Sequence, residues 1–143
     1  YQAKFKETGV HFEKEITPAD LSVDADLELI EQVLINLIQN ALEAILDIPG
    51  PRISLCASIS DNGQVQILVT DNGAGISDEI VEKIFLPYYS TKTNKSGIGL
   101  SLSQQIMMLH HGRLEVITGK KKYTPRGTVM VRTTLPPNVP ARK

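Results

Sequence analysis

Arg52-Ile-Ser-Leu-Cys-Ala-Ser-Ile-Ser60, Asp61-Asn62-Gly63, Gln64-Val-Gln-Ile-Leu-Val-Thr70 and Asp71-Asn72-Gly73-Ala74-Gly75 follow one another without interruption. Two runs rich in β-branched residues flank an Asp-Asn-Gly turn, a strong short-range signal for an antiparallel hairpin. The second Asp-Asn-Gly differs from the first because it gains Gly75 and lies ahead of a helical pattern rather than between two strands. Either triplet alone is an ordinary turn, so the hairpin turn serves as an internal control for the other. At Asp71 the backbone must leave a sheet and turn sharply. A carboxylate there, backed by two glycines, can accept a hydrogen bond from a ligand amine while bare backbone lets the ligand approach closely.

Outward from this stretch, Ile30, Val33, Leu34, Leu37, Ile38, Ala41 and Ile45 recur at helical spacing and predict a helix over residues 26–46. Asp24 or Asp26 can cap its start, and Pro49-Gly50-Pro51 stops it. Residues 10–16 alternate like a strand and 21–23 suggest a short one. On the other side, Ser77 caps a short helix through Ile84, and residues 85–96 lose all periodicity. A loop of about a dozen residues is more often functional than incidental. Helical spacing returns over residues 98–111, with Gly112 as the expected C′ residue. Residues 113–118 and 128–135 read as strands joined by a Lys-rich turn over 119–127, and a loose tail follows from Pro136. Strand, helix, hairpin, helix, loop, helix, hairpin is not a purely alternating βαβ order. The expected fold is an α/β (α+β) two-layer sandwich, a mixed sheet with helices on one face.

The chain of 143 residues is 41% hydrophobic, 22% charged and 5% aromatic, which places it among ordinary globular domains and outside disordered or disulfide-scaffold classes. It is the length of one domain, read as a single unit over 1–143 with a core of about 10–136. Fifteen Lys and Arg against sixteen Asp and Glu leave a net charge of -1, which argues against a general nucleic-acid or anionic-membrane surface. The lone Cys56 cannot form an internal disulfide, and a reducing compartment is the simplest expectation. No apolar run approaches the roughly 18–20 residues needed to span a bilayer. The start at Tyr1, with no signal-peptide pattern, suggests a fragment with sequence missing upstream.

Two further features carry chemistry. Asn36, Asn40 and Glu43 fall within about 60° of one another on a helical wheel, roughly opposite the centre of the apolar stripe. A solvated face is the plain reading, although asparagine is a mediocre helix former. Gly97-Ile98-Gly99 opens the helix after the long loop, where unpaired N–H groups and the dipole suit an anion such as phosphate. Neither GxxxxGK[ST] nor GxGxxG occurs in the chain, so P-loop and dinucleotide-binding folds are not expected.

Together the boxes are far more specific. In order they are Asn36-Leu-Ile-Gln-Asn40-Ala, Asp71-Asn-Gly-Ala-Gly75-Ile76, Phe85-Leu-Pro-Tyr-Tyr-Ser-Thr-Lys92, Gly97-Ile98-Gly99-Leu100-Ser-Leu and Gly127-Thr128. This pattern resembles the ATP-binding catalytic domain of sensor histidine kinases, a branch of the GHKL superfamily with the Bergerat fold. The resemblance covers residues from about 10 to 136. It implies a mostly antiparallel sheet of about five strands covered by about three helices, with ATP and Mg2+ as cofactors. Asn40 is implied as the magnesium ligand, and Asn36, Asn40 and Lys92 as catalytic positions. Asp71 is implied to bind the adenine amino group. The implied nucleotide-binding set continues with Gly73, Gly75, Ile76, Phe85, Lys92, Gly97, Ile98, Gly99, Leu100 and Thr128, in addition to Asn40 and Asp71.

Two departures from the family pattern are visible. Many histidine kinases carry Lys or Arg three residues after the magnesium asparagine, where this chain has Glu43; that shifts the phosphate contact to Lys92 and to Lys95. Tyr88 and Tyr89 replace commoner phenylalanines while keeping the apolar ring. Gyrase-like relatives have a glutamate one turn before the metal asparagine as general base, a role the Asn36 amide cannot take, so phosphoryl transfer is expected over hydrolysis. None of His11, His110 and His111 has the sequence context of a phosphoacceptor, so His11 is expected on a strand surface and the other two in structural roles at a helix end. The implied partners are the dimerisation and phosphoacceptor domain of the same kinase and, through the whole protein, a response regulator. Neither nucleic acid nor direct membrane contact is implied; the expected location is cytoplasmic, in a membrane-anchored parent. An anti-sigma-type serine kinase and a nucleotide-dependent interaction module without transfer activity are the alternatives.

Overall fold

A computed structural model describes residues 6–73, 75–76, 79, 83–86, 99–118 and 129–135, the last seven and Thr118 through their backbone. Its elements are β1 (His11–Ile16), α1 (Leu27–Ala44), β2 (Arg52–Ile59), β3 (Val65–Asp71), α2 (Gly99–Leu109), β4 (Arg113–Thr118) and β5 (Val129–Leu135). The sheet order is β1-β2-β3-β5-β4. Strands β1 and β2 run parallel, whereas the β2–β3, β3–β5 and β4–β5 pairs are antiparallel. The parallel pair needs a long crossover, and α1 supplies it. The last of the described strands in sequence, β5, is inserted between β3 and β4. The mixed, mostly antiparallel sheet with helices is the architecture the motifs imply.

The core follows from two periodicities. In β3 the odd positions Val65, Ile67, Val69 and Asp71 are buried, and Ile53 and Ala57 of β2 lie in the same cluster. From the helices come Val33, Leu37 and Ala41 of α1 with Ile106 and Met107 of α2. Burying one such large apolar side chain contributes roughly 1.5–3 kcal/mol. The edge strand β1 is exposed along nearly its whole length, and its charged Glu13, Lys14 and Glu15 discourage pairing with another chain. His11 is on that surface, as expected, with Nε2 2.9 Å from Glu13 Oε1.

Local chemistry corrects several boundaries. Of the two candidate caps, Asp26 serves α1: its Oδ1 accepts from Leu29 N–H at 3.1 Å. The helix stops at Ala44, two residues before the expected end, with Ile45 as C-cap. No strand forms over residues 21–23; Leu21 N–H closes a turn on Pro18 O at 3.0 Å, while Leu21 and Val23 pack on the core. At the end of α2, Gly112 N–H reaches Met107 O at 2.8 Å and His111 N–H reaches Met108 O at 3.0 Å, the paired bonds of a Schellman motif. The left-handed C′ residue is therefore His111, with φ 57°, and not Gly112. The expected helix over 77–84, the loop beyond Leu86, the 119–127 turn and the tail lie outside the described residues, apart from Glu79 and a turn in which Leu86 N–H meets Lys83 O at 3.0 Å. Among the described residues no helix is long and apolar enough to cross a membrane.

Candidate functional site

Asp71 ends β3, paired with Ile53 on one side and Val129 on the other, so it sits mid-sheet and continues the inner, core-facing row. It is only 6% exposed, and a carboxylate in an otherwise apolar row is the informative exception. Its Oδ1 accepts from Gly73 N–H at 2.8 Å, which fixes the carboxylate's orientation. The next residue anchors the loop: Asn72 Oδ1 accepts from Arg52 N–H at 2.8 Å and its Nδ2 donates to Gly50 O at 2.9 Å. Asn72 thereby ties the β3 exit to the entry of β2. Its position beside an acid in a turn gave no hint of this long-range role. A Cβ on Gly73 would lie 2.6 Å from Ala44 O, so only glycine lets the loop pass against the end of α1. Gly75 is exposed with φ 84°, and Ile76 is half-buried.

Asn36, Asn40 and Ala44 form one i, i+4 row on α1, each a turn from the next. At one end, Asn36 Nδ2 donates to Ser103 Oγ at 3.2 Å and Gly99 O at 3.4 Å, at the first turns of α2. At the other end, the Ala44 carbonyl abuts Gly73. Half-buried Asn40 lies between them, and the row spans about 12 Å along the helix. This side of α1 is therefore a seam with α2 and the β3 exit, not a solvated face. Glu43 departs from it: with Thr8, Val10 and Pro51 it lines a separate groove of about 240 Å³. Sequence reading missed Ser103, a fully buried serine whose only signal is a polar residue at a core position of α2.

Leu100 and Phe85 are half-buried against the core cluster. The structure thus brings Asn36, Asn40, Asp71, Gly73 and Gly99 to one side of α1, while Lys92, Lys95, Gly97, Ile98, Gly127 and Thr128 lie outside the described residues. His110 has a structural part: its Nδ1 donates to Ile106 O at 2.8 Å and its Nε2 accepts from Asp26 N–H at 3.0 Å. Cys56 is half-buried, and its thiol pKa is pushed up by burial first, then by the charges of Glu15 and Glu13, which disfavours the reactive thiolate. Among the described residues no group of three or more His, Cys, Asp or Glu is placed to hold a metal ion.

The resemblance extends to known proteins. The chain is 34% identical over 139 residues to sporulation kinase B of Bacillus subtilis, a match covering 96% of this chain and 30% of that protein. It is 43% identical over 93 residues to the C4-dicarboxylate transport sensor protein DctS of Rhodobacter capsulatus, covering 64% of this chain and 14% of that one. The chain therefore spans under a third of the length of these relatives. Among solved structures, the nucleotide-free catalytic domain of histidine kinase ThkA superposes with a TM-score of 0.81 at 32% identity, over 94% of this chain and 84% of that one. ThkA in complex with the response regulator protein TrrA superposes with a TM-score of 0.76 at 29% identity, over 94% of this chain and 36% of that one. Residues 25–139, a stretch that holds Asp71, Gly73 and the Asn36 row, match the family described as histidine kinase-, DNA gyrase B-, and HSP90-like ATPase, and the chain belongs to that family.

Proposed function

We propose that this domain binds Mg-ATP and donates the γ-phosphoryl group to a histidine on a separate dimerisation domain of the same sensor kinase. The observation that carries the reading is the row on α1, which joins a buried carboxylate and its glycine at one end to the start of a glycine-led helix at the other. That span suits a nucleotide, with a base at Asp71 and phosphates at Gly99. Asp71 is assigned to the adenine amino group, because a fixed acceptor at the rim of an apolar core selects a donor-bearing flat base. Gly73, Gly75, Ile76, Phe85 and Leu100 belong to the same nucleotide surface, and Gly97, Ile98 and Thr128 are assigned to it from their boxes.

Asn40 presents an amide, a hard oxygen ligand suited to Mg2+ shared with phosphates, and it lies in the interval between base and phosphate ends. The ion, when bound, neutralises charge on the phosphates. Lys92 is assigned to the γ-phosphate; Glu43 lines another groove and does not compete for that role. In the transfer the bond between the γ-phosphorus and the bridging oxygen breaks, ADP leaves, and a bond to an imidazole nitrogen forms. Asn36 provides no general base for water, which favours transfer over hydrolysis. The acceptor histidine, a response regulator downstream and a cytoplasmic position in a membrane-anchored parent complete the proposal. It is supported by the sensor kinases this chain resembles and by the ThkA–TrrA complex.

Calorimetric titration with ATP tests the reading. The chain is expected to bind ATP with an affinity that magnesium strengthens. Asn40→Ala is expected to keep the helix, since alanine is the better helix former, and to lose the magnesium dependence. A variant that responds to magnesium like the parent would remove Asn40 from the metal site.

A further inference from the structure

We infer that the side-chain series Gln32–Asn36–Ser103 is a positioning device that sets the first turn of α2 against the row bearing Asn40, and so tunes the phosphate end of the nucleotide without touching it. The inference rests on the nucleotide reading above and adds residues to it. Gly99 O can only accept, so Asn36 must present its Nδ2 to α2. The same nitrogen donates to Ser103 Oγ at 3.2 Å, and Asn36 Oδ1 accepts from Gln32 Nε2 at 3.2 Å. The amide is thus engaged at both ends.

Apolar neighbours on the two helices are deeply buried, with Val33 and Leu37 of α1 and Met107 of α2 at most 2% exposed. Ser103 is fully buried among them. A polar pair with one buried member adds little to stability over a well-packed apolar one, but it accepts one register of the helices and penalises others. A second tie, Asp26 N–H to His110 Nε2, joins the start of α1 to the end of α2, ten residues and about 15 Å along α1 from Asn36. The two helices therefore run antiparallel, with polar ties toward both ends of their contact. Only the Asn36 tie reaches Gly99. A carboxylate at position 36 would face the Gly99 carbonyl with no hydrogen to donate, so the amide is what serves both Gly99 O and Ser103 Oγ with one nitrogen.

The two ends of the nucleotide separate a positioning role from a structural one. Affinities for Mg-ATP and for adenosine, which lacks phosphates, would be measured by NMR shift titration on the 143-residue chain and on Ser103→Ala, Asn36→Asp and His110→Phe. Ser103→Ala and Asn36→Asp are expected to weaken Mg-ATP about 3- to 10-fold, the scale of one lost hydrogen bond, and to leave adenosine unchanged. His110→Phe is expected to lower the melting temperature and change neither affinity. Should Asn36→Asp fail to fold, the smaller change Ser103→Ala carries the test alone. Equal losses for both ligands, undiminished Mg-ATP affinity, or the same selective loss in His110→Phe would overturn the positioning role. A parent chain that binds adenosine and Mg-ATP equally weakly would instead overturn the nucleotide reading itself.

Discussion

The tripeptide Asp-Asn-Gly occurs twice within thirteen residues and does two unrelated things. In the β2–β3 hairpin, Asp61 and Asn62 are exposed, and the turn is closed by Gly63 N–H to Ser60 O at 2.9 Å and Ser60 N–H to Gln64 O at 2.8 Å. Every one of these bonds is local. At the end of β3, Asp71 is buried, Asn72 reaches back to Gly50 and Arg52, and Gly73 presses on the end of α1. The glycines differ too. Gly63 is needed for its conformation, with φ 78°, whereas Gly73 is needed for space. Identical side chains acquire distinct roles because one turn points into water and the other into the seam between sheet and helix.

The largest expected difference between the two is at the acids. If Asp71 binds adenine as proposed, Asp71→Asn replaces one acceptor oxygen by a donor there and is expected to weaken ATP on the order of 100-fold, as for a lost charged hydrogen bond. Asp61→Asn should leave affinity unchanged. Calorimetry on both variants decides the matter, and a tight Asp71→Asn complex would erase the distinction.

Smaller, and read in stability rather than binding, is the contrast of the glycines. Gly73→Ala drives a methyl into a backbone carbonyl and is expected to cost about 2–3 kcal/mol in urea unfolding. Gly63→Ala forces alanine into a left-handed conformation, at about 1 kcal/mol. Equal costs would mean that the Gly73 loop relaxes freely away from Ala44.

The smallest effect belongs to a third turn, where a left-handed residue is not glycine. His111, with φ 57°, is exposed at the C′ position of α2. Replacing it by glycine is expected to stabilise the chain by about 0.5–1 kcal/mol, raising the urea midpoint without changing the slope. No gain would indicate that side-chain contacts of His111 offset its backbone strain.

Local patterns were legible wherever their physics is local. Apolar spacing placed α1 and α2, β-branched runs placed β2 and β3, and the turn residues placed the hairpin, each within a residue or two of the observed ends. The errors were competitions that spacing cannot rank: Gly112 looked like the C′ residue, but the Schellman bonds assign that place to His111. Residues 21–23 had strand-like side chains, but Leu21 N–H is taken by the turn to Pro18 O while Leu21 and Val23 pack on the core. The motif order pointed to the family because its boxes are contiguous along the chain.

What the sequence alone determined about this protein is therefore most of its described elements, its fold class and its family. Sheet order, the parallel β1–β2 pairing and the insertion of β5 between β3 and β4 came only from tertiary structure. So did the long-range partners of Asn36 and Asn72, which lie 63 or 67 and 20 or 22 residues away. The reason is physical. Helical and strand periodicities are set by neighbours a few residues apart, whereas an amide at one helix face has no preference among distant acceptors until the packed core brings a particular carbonyl or hydroxyl to it.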